Sequence, residues 1–179
     1  MPHYAQKRHT RRTRAFTLIE LVSVLVLVSI LSATAIPALA RLDRARDAAL
    51  LNECDRLIRY SQAHANSTGM PTGARFDLDD QSVAVLTIGT TPGSASPVLR
   101  AGTGLPIELS VSSAFPGASL ASSGGQTSGT AVLWFDYDGS PQTRDSSGEN
   151  PLALTEEFIV RVSSGSEIRV QPSTGVILR

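Results

Sequence analysis

Chemistry-bearing side chains are scarce in this chain of 179 residues. Cys54 is the single cysteine, so no intrachain disulfide can form and no cysteine metal centre can be built. It reads as a small apolar residue packed on a helix face. Histidine is found only at positions 3, 9 and 64. A zinc site drawn from beyond residue 15 would have His64 alone to work with, and a Ser-His-Asp arrangement would also need it. The stretches "GSASP" (93–97) and "GASLA" (117–121) lack the closing glycine of a nucleophile elbow. "GTGLP" (102–106) lacks a phosphate loop's lysine and reads as a turn. These absences lead us to expect neither enzymatic activity nor a cofactor.

Positive charge is also missing from most of the chain. The formal net charge is zero, yet Lys7, Arg8, Arg11, Arg12 and Arg14 crowd the first fifteen residues, where no acid occurs. Beyond residue 15 there are eleven basic and sixteen acidic residues, a net −5, and no lysine. Nonspecific nucleic-acid affinity comes from clustered Lys and Arg, so an acidic body disfavours that partner. A basic end followed by an apolar run instead marks the cytoplasmic side of a membrane segment.

That apolar run is "RAFTLIELVSVLVLVSILSATAIPALA", Arg14 to Ala40. Leu21 to Ala40 are uncharged, and twenty residues at about 1.5 Å rise cover roughly 30 Å, one hydrocarbon core. Three readings compete. A secretory signal cut after "ALA" (38–40) would release a soluble periplasmic protein, but the run exceeds the roughly 7–15 apolar residues of such signals. A plain anchor leaves Glu20 without a reason, since an intramembrane carboxylate is costly and normally has a partner.

The third reading starts from "RAFTLIELV", which resembles the prepilin-type signal of type IV pilins and of the pseudopilins of type II secretion. The resemblance implies cleavage between Ala15 and Phe16 by a prepilin peptidase, although Ala15 stands where the family usually has glycine. It also implies N-methylation of Phe16 and a carboxylate at the fifth mature position, Glu20. A free amine and a carboxylate are each expensive in lipid; the Phe16 amine of one subunit can neutralise Glu20 of its neighbour when helices bundle. Pro37 falls where pilins commonly carry a proline, and its missing N–H is expected to kink or loosen the helix.

Beyond Ala40, Leu50, Leu51, Cys54, Leu57, Ile58 and Ser61 recur at helical spacing, with Arg44, Asp55, Arg56 and Arg59 mostly elsewhere around the helix. We expect one helix over 16–66, ended by Gly69 and Pro71. From Arg75 onward, strands are expected at 82–88, 106–111, 130–137, 157–162, 167–172 and 175–179. The intervening 89–97, 112–129 and 139–151 read as loops. The expected organisation is a leader (1–15), a transmembrane and filament-core helix (16–40), its amphipathic continuation (41–66) and a periplasmic β-rich head (67–179). The fold class is α+β and pilin-like: a long helix with a membrane-spanning first half, packed on an antiparallel β head.

The head's "WFDYDGSP" (134–141) and "EIRVQPSTGVIL" (167–178) resemble the H-type minor pseudopilins and the FimT-like minor pilins. The resemblance implies a single-pass inner-membrane subunit with its amino end cytoplasmic, incorporated into a periplasmic pseudopilus. Its partners would be other pseudopilins, the prepilin peptidase and methyltransferase, and the inner-membrane secretion platform. Under the FimT-like alternative, with a role in pilus assembly or DNA uptake, Arg169 and Arg179 would be the candidate DNA contacts. "STGVILR" lacks that group's Gly-Arg motif, and a solvated or ion-paired role is expected for both. The D-x-D pairs of "FDLDD" (76–80) and "DYDGS" (136–140) suggest calcium only weakly, and Asp138-Gly139 reads as a turn joining strands.

Overall fold

The computed structural model describes residues 17–88, 95–144 and 148–179, with the side chains of Thr34 and residues 36–40 outside the described set. The chain divides into two compact units, Met1–Ala40 and Arg41–Arg179. A continuous helix, α1, covers Leu18–Thr68.

In the first unit, the described large apolar side chains from Leu18 to Leu31 are all exposed. In the second unit, α1 turns amphipathic. Leu50, Leu51, Cys54, Leu57, Ile58 and Ser61 are all buried, as their spacing predicts. Asp55 is a correction to that pattern: it too is buried, since two arginines answer its charge. The helix ends two residues later than expected, at Thr68, where Gly69 adopts φ 67° and donates its N–H to the Ala65 carbonyl.

The chain then forms β1 (Thr72–Asp77), β2 (Ser82–Ile88), β3 (Ala95–Pro97), β4 (Glu108–Ser110), a short helix α2 (Val111–Ala114), β5 (Leu120–Ser123), β6 (Thr130–Phe135), β7 (Pro141–Thr143), β8 (Leu152–Ala153), β9 (Phe158–Val162), β10 (Glu167–Val170) and β11 (Ile177–Leu178). All pairings are antiparallel. The larger sheet runs β3-β2-β1-β6-β7-β8, with β4 also on β2, and the smaller runs β11-β10-β9-β5.

Four expectations change here, two of them because β3 and β7 fall inside the expected loops 89–97 and 139–151, where they pair with β2 and β6. The central strand of the larger sheet is β1, "TGARFD", which lies wholly before the first expected strand. The stretch 112–129 is no continuous loop, because α2 and β5 fall across it and β5 pairs with β9 through a bulge. Alternation on β1 explains the layering. Ala74 and Phe76 enter the core, while Gly73 and Arg75 face the other way, where Gly73 leaves room for the fully buried indole of Trp134. A Cβ at Gly73 would come within 2.8 Å of the Trp134 ring.

One core joins α1 and both sheets in the second unit. Leu50, Leu57 and Ile58 of α1, Phe76 and Leu133 of the larger sheet, and Phe158, Val160 and Ile168 of the smaller belong to a single buried cluster. An α+β architecture follows, with the carboxyl part of α1 packed on antiparallel sheets. Asp47, also buried, accepts the Ser164 N–H at 3.0 Å and ties α1 to the β9–β10 turn.

Candidate functional site

The amino end of α1 is shaped by Thr17. Its hydroxyl accepts the Glu20 N–H at 3.3 Å, and its carbonyl accepts the N–H groups of Glu20 and Leu21 at 3.1 and 3.2 Å. That is the N-cap geometry that satisfies helix-start donors, and T-L-I-E is the sequence signature of a capping box. The sequence reading missed Thr17 because the cleavage signal absorbed the same residues. Glu20 lies in the first turn, where the helix dipole favours a carboxylate. Its side chain is exposed and forms no ion pair among the described residues.

Downstream, the polar side chains answer themselves. Ser23 and Ser29 donate to the carbonyls four residues back, Ile19 and Leu25, at 2.8 and 2.7 Å. They present no free hydroxyl to an apolar environment. Apolar side chains are exposed all around this stretch of α1, which calls for burial in lipid or among other helices. Among the described residues, no helix is long and apolar enough to cross a membrane. The uncharged run at 21–40 continues into side chains outside that set. The backbone of α1 is helical through Pro37, whose side chain, like Ala15 and Phe16, lies outside the described residues.

Residues 10–36 match the prokaryotic N-terminal methylation motif. The chain carries a type IV pilin-like signal. Searches of curated proteins and of solved structures give no significant match. The signal implies processing by a prepilin peptidase, methylation and assembly into filaments.

In the head, the sequence candidates take structural roles. Asp138-Gly139 forms the β6–β7 turn, with Gly139 at φ 79° and its N–H donated to the Asp136 carbonyl at 2.8 Å. The Asp138 carboxyl is held below its usual range by the Ser140 hydroxyl and then the Ser140 amide. Asp77 is lowered mainly by the Asp80 amide, with Thr130 adding a hydrogen bond, so its oxygens serve the β1–β2 turn. Among the described residues, no group of three or more His, Cys, Asp or Glu is placed to hold a metal.

Arg169 and Arg179 go to different acids. Arg169 pairs with Glu167 and, at 3.7 Å, with Glu157, while Arg179 reaches Asp55 at 2.6 Å and the Asn52 side chain at 2.6 Å. Glu167 is also held by Arg161 at 2.6 Å, and the two arginines lower its carboxyl. Tyr60 stacks on His64 with ring centroids 5.7 Å apart, so the histidine is a packing residue on the helix.

Cys54 is fully buried, and its thiol is pushed up to about 12, by burial first and then by the Glu53 and Asp55 carboxylates. At neutral pH it is an inert thiol, and the native protein is expected to resist thiol reagents that label the unfolded chain. The pH dependence has a definite sign. An unfolded thiol deprotonates near 9, whereas the folded one keeps its proton until about 12. Stability is therefore lost as pH rises through that window, by about 1.4 kcal/mol per unit from this group. Urea midpoints measured at pH 8 and 10 should fall more steeply for the native chain than for Cys54→Ala. Equal slopes would refute the assignment.

Proposed function

We propose that this chain is a minor pseudopilin of a type II secretion system, most similar to the H type. It is made as a precursor, cut between Ala15 and Phe16, and methylated on Phe16. Held in the inner membrane with its head in the periplasm, it assembles through α1 into a pseudopilus that supports protein export across the outer membrane. The observation that carries this reading is the methylation motif at 10–36, continued by exposed apolar side chains around Glu20, which forms no ion pair among the described residues. A helix that is apolar all round needs lipid or neighbouring helices, and a carboxylate among such neighbours needs a cation.

The protein works by assembly and not by catalysis. The FimT-like, DNA-binding alternative is disfavoured by the acidic balance beyond residue 15 and by the ion pairs that occupy Arg169 and Arg179. Mass spectrometry of the chain made in a host with its prepilin peptidase should find Phe16 first and bearing one methyl group. An amino terminus at Arg41 would support the secretory-signal reading, and an intact leader would support the plain anchor.

A further inference from the structure

We propose that a cleft on the outer face of the larger sheet docks a carboxylate side chain presented by an extended segment of a partner polypeptide. The cleft, about 700 Å³, lies over β1, β2 and β6 on the side facing away from the shared core, with residues 154–158 as one wall. Its floor holds Arg75, in the middle of the central strand, between the small Ala84 of β2 and Val132 of β6 in the ladder. Among the described residues Arg75 makes no ion pair or hydrogen bond, and its Nε is buried without an acceptor. Asp77, two residues on, feels the Arg75 charge, but its carboxylate takes its hydrogen bonds from the Asp79 and Asp80 amides and the Thr130 hydroxyl.

A second orphan donor belongs to the same cleft. The Arg144 side chain is only 10% exposed, and its Nη atoms serve Gln142 and the Gly148 carbonyl, with Asp136 at 3.6 Å, but its Nε is also buried and unmatched. Two guanidinium groups lining one cleft, each with a donor that lacks an acceptor, form an incomplete anion site, and a planar carboxylate matches guanidinium forks. Glu156 and Glu157 line the cleft as well, which penalises a dianion such as phosphate more than a singly charged carboxylate. The apolar lining by Leu86, Val132 and Leu154 suits the flanks of a polypeptide better than a free small anion. That the partner is a neighbouring subunit rests on the assembly reading; the arginine chemistry does not.

The test uses the full chain in detergent micelles with ¹⁵N-labelled arginine. The Nε–H resonances would be assigned through Arg75→Lys and Arg144→Lys. Probes are the capped peptide acetyl-Val-Val-Asp-Val-Val-amide, its Asn counterpart and inorganic phosphate. The aspartyl peptide should shift both resonances, and the Asn peptide should bind at least about tenfold more weakly, since the charge-assisted bond is lost. Arg75→Gln should weaken the aspartyl peptide by about tenfold or more while leaving the dispersed Arg144 resonance in place. No shift up to about 10 mM peptide, or a response to phosphate or to the Asn peptide equal to that of the aspartyl peptide, would overturn the proposal. Intact peptide binding by a chain that fails to assemble would count against the assembly reading alone.

Discussion

Glu20→Leu is expected to insert into the membrane normally and to fall out of filaments by about a hundredfold or more. Removing one partner of a buried ion pair strands the other charge, typically at about 3–5 kcal/mol, and every 1.4 kcal/mol is about tenfold in an equilibrium. Insertion should not suffer, because leucine is easier to place in lipid than a carboxylate. The geometry at Thr17 offers a rival account, in which Glu20 serves only the helix start. Capping and dipole effects together amount to about 1–2 kcal/mol, and glutamine can replace glutamate in a capping box. Glu20→Gln separates the two. If a neighbour's Phe16 amine is the partner, Gln should be nearly as defective as Leu in crosslinking and membrane fractionation; near-normal incorporation of Glu20→Gln would leave capping as the explanation.

Phe76→Ala should cost the head about 3–5 kcal/mol, out of the roughly 5–15 typical of a folded domain. Phe76 is fully buried on the central strand of the larger sheet, and its ring lies 5.9 Å from that of Phe158 on β9 of the smaller, at 40°. The change removes both the buried ring and a contact between sheets that share no ladder hydrogen bonds. Thermal unfolding followed by circular dichroism should show a midpoint lower by roughly 10–20 °C. A double-mutant cycle with Phe158→Ala should return a coupling of about 0.5–1.5 kcal/mol. A loss below about 1 kcal/mol for the single variant would mean that the two sheets are not held together here.

Signals that are local in the chain were legible at once. Arg11, Arg12 and Arg14, Ala15 and Phe16, and Glu20 form a linear pattern, and a match over residues 10–36 to the N-terminal methylation motif bears out the pilin-like signal. The stripe from Leu50 to Ser61 was equally readable, because an amphipathic helix writes its buried face at a fixed period. The strand Ser82–Ile88, rich in β-branched residues, was legible to the residue, while those expected at 130–137, 157–162 and 167–172 hold their place with shorter bounds. Besides the short β3, β7 and β8, two strands escaped: β1, since "TGARFD" has a glycine, an arginine and no Val or Ile, and β5, since "LASS" is mostly small and polar. Both are strands because β2 and β6, or β9, supply ladder partners from elsewhere in the chain.

The same division separates the two candidate sites. A peptidase and a bilayer read short contiguous stretches, so the sequence by itself determined the pilin-like signal, the apolar helix with its acid, and the amphipathic continuation. Only the tertiary structure decided that Asp55 is buried between two arginines, that the sheets share one core, and that Arg75 and Arg144, sixty-nine positions apart, line one cleft, each with a buried Nε that has no acceptor. Those facts depend on which strands pair across long separations, and antiparallel pairing is chosen by the packing of the whole core rather than by any one segment's text.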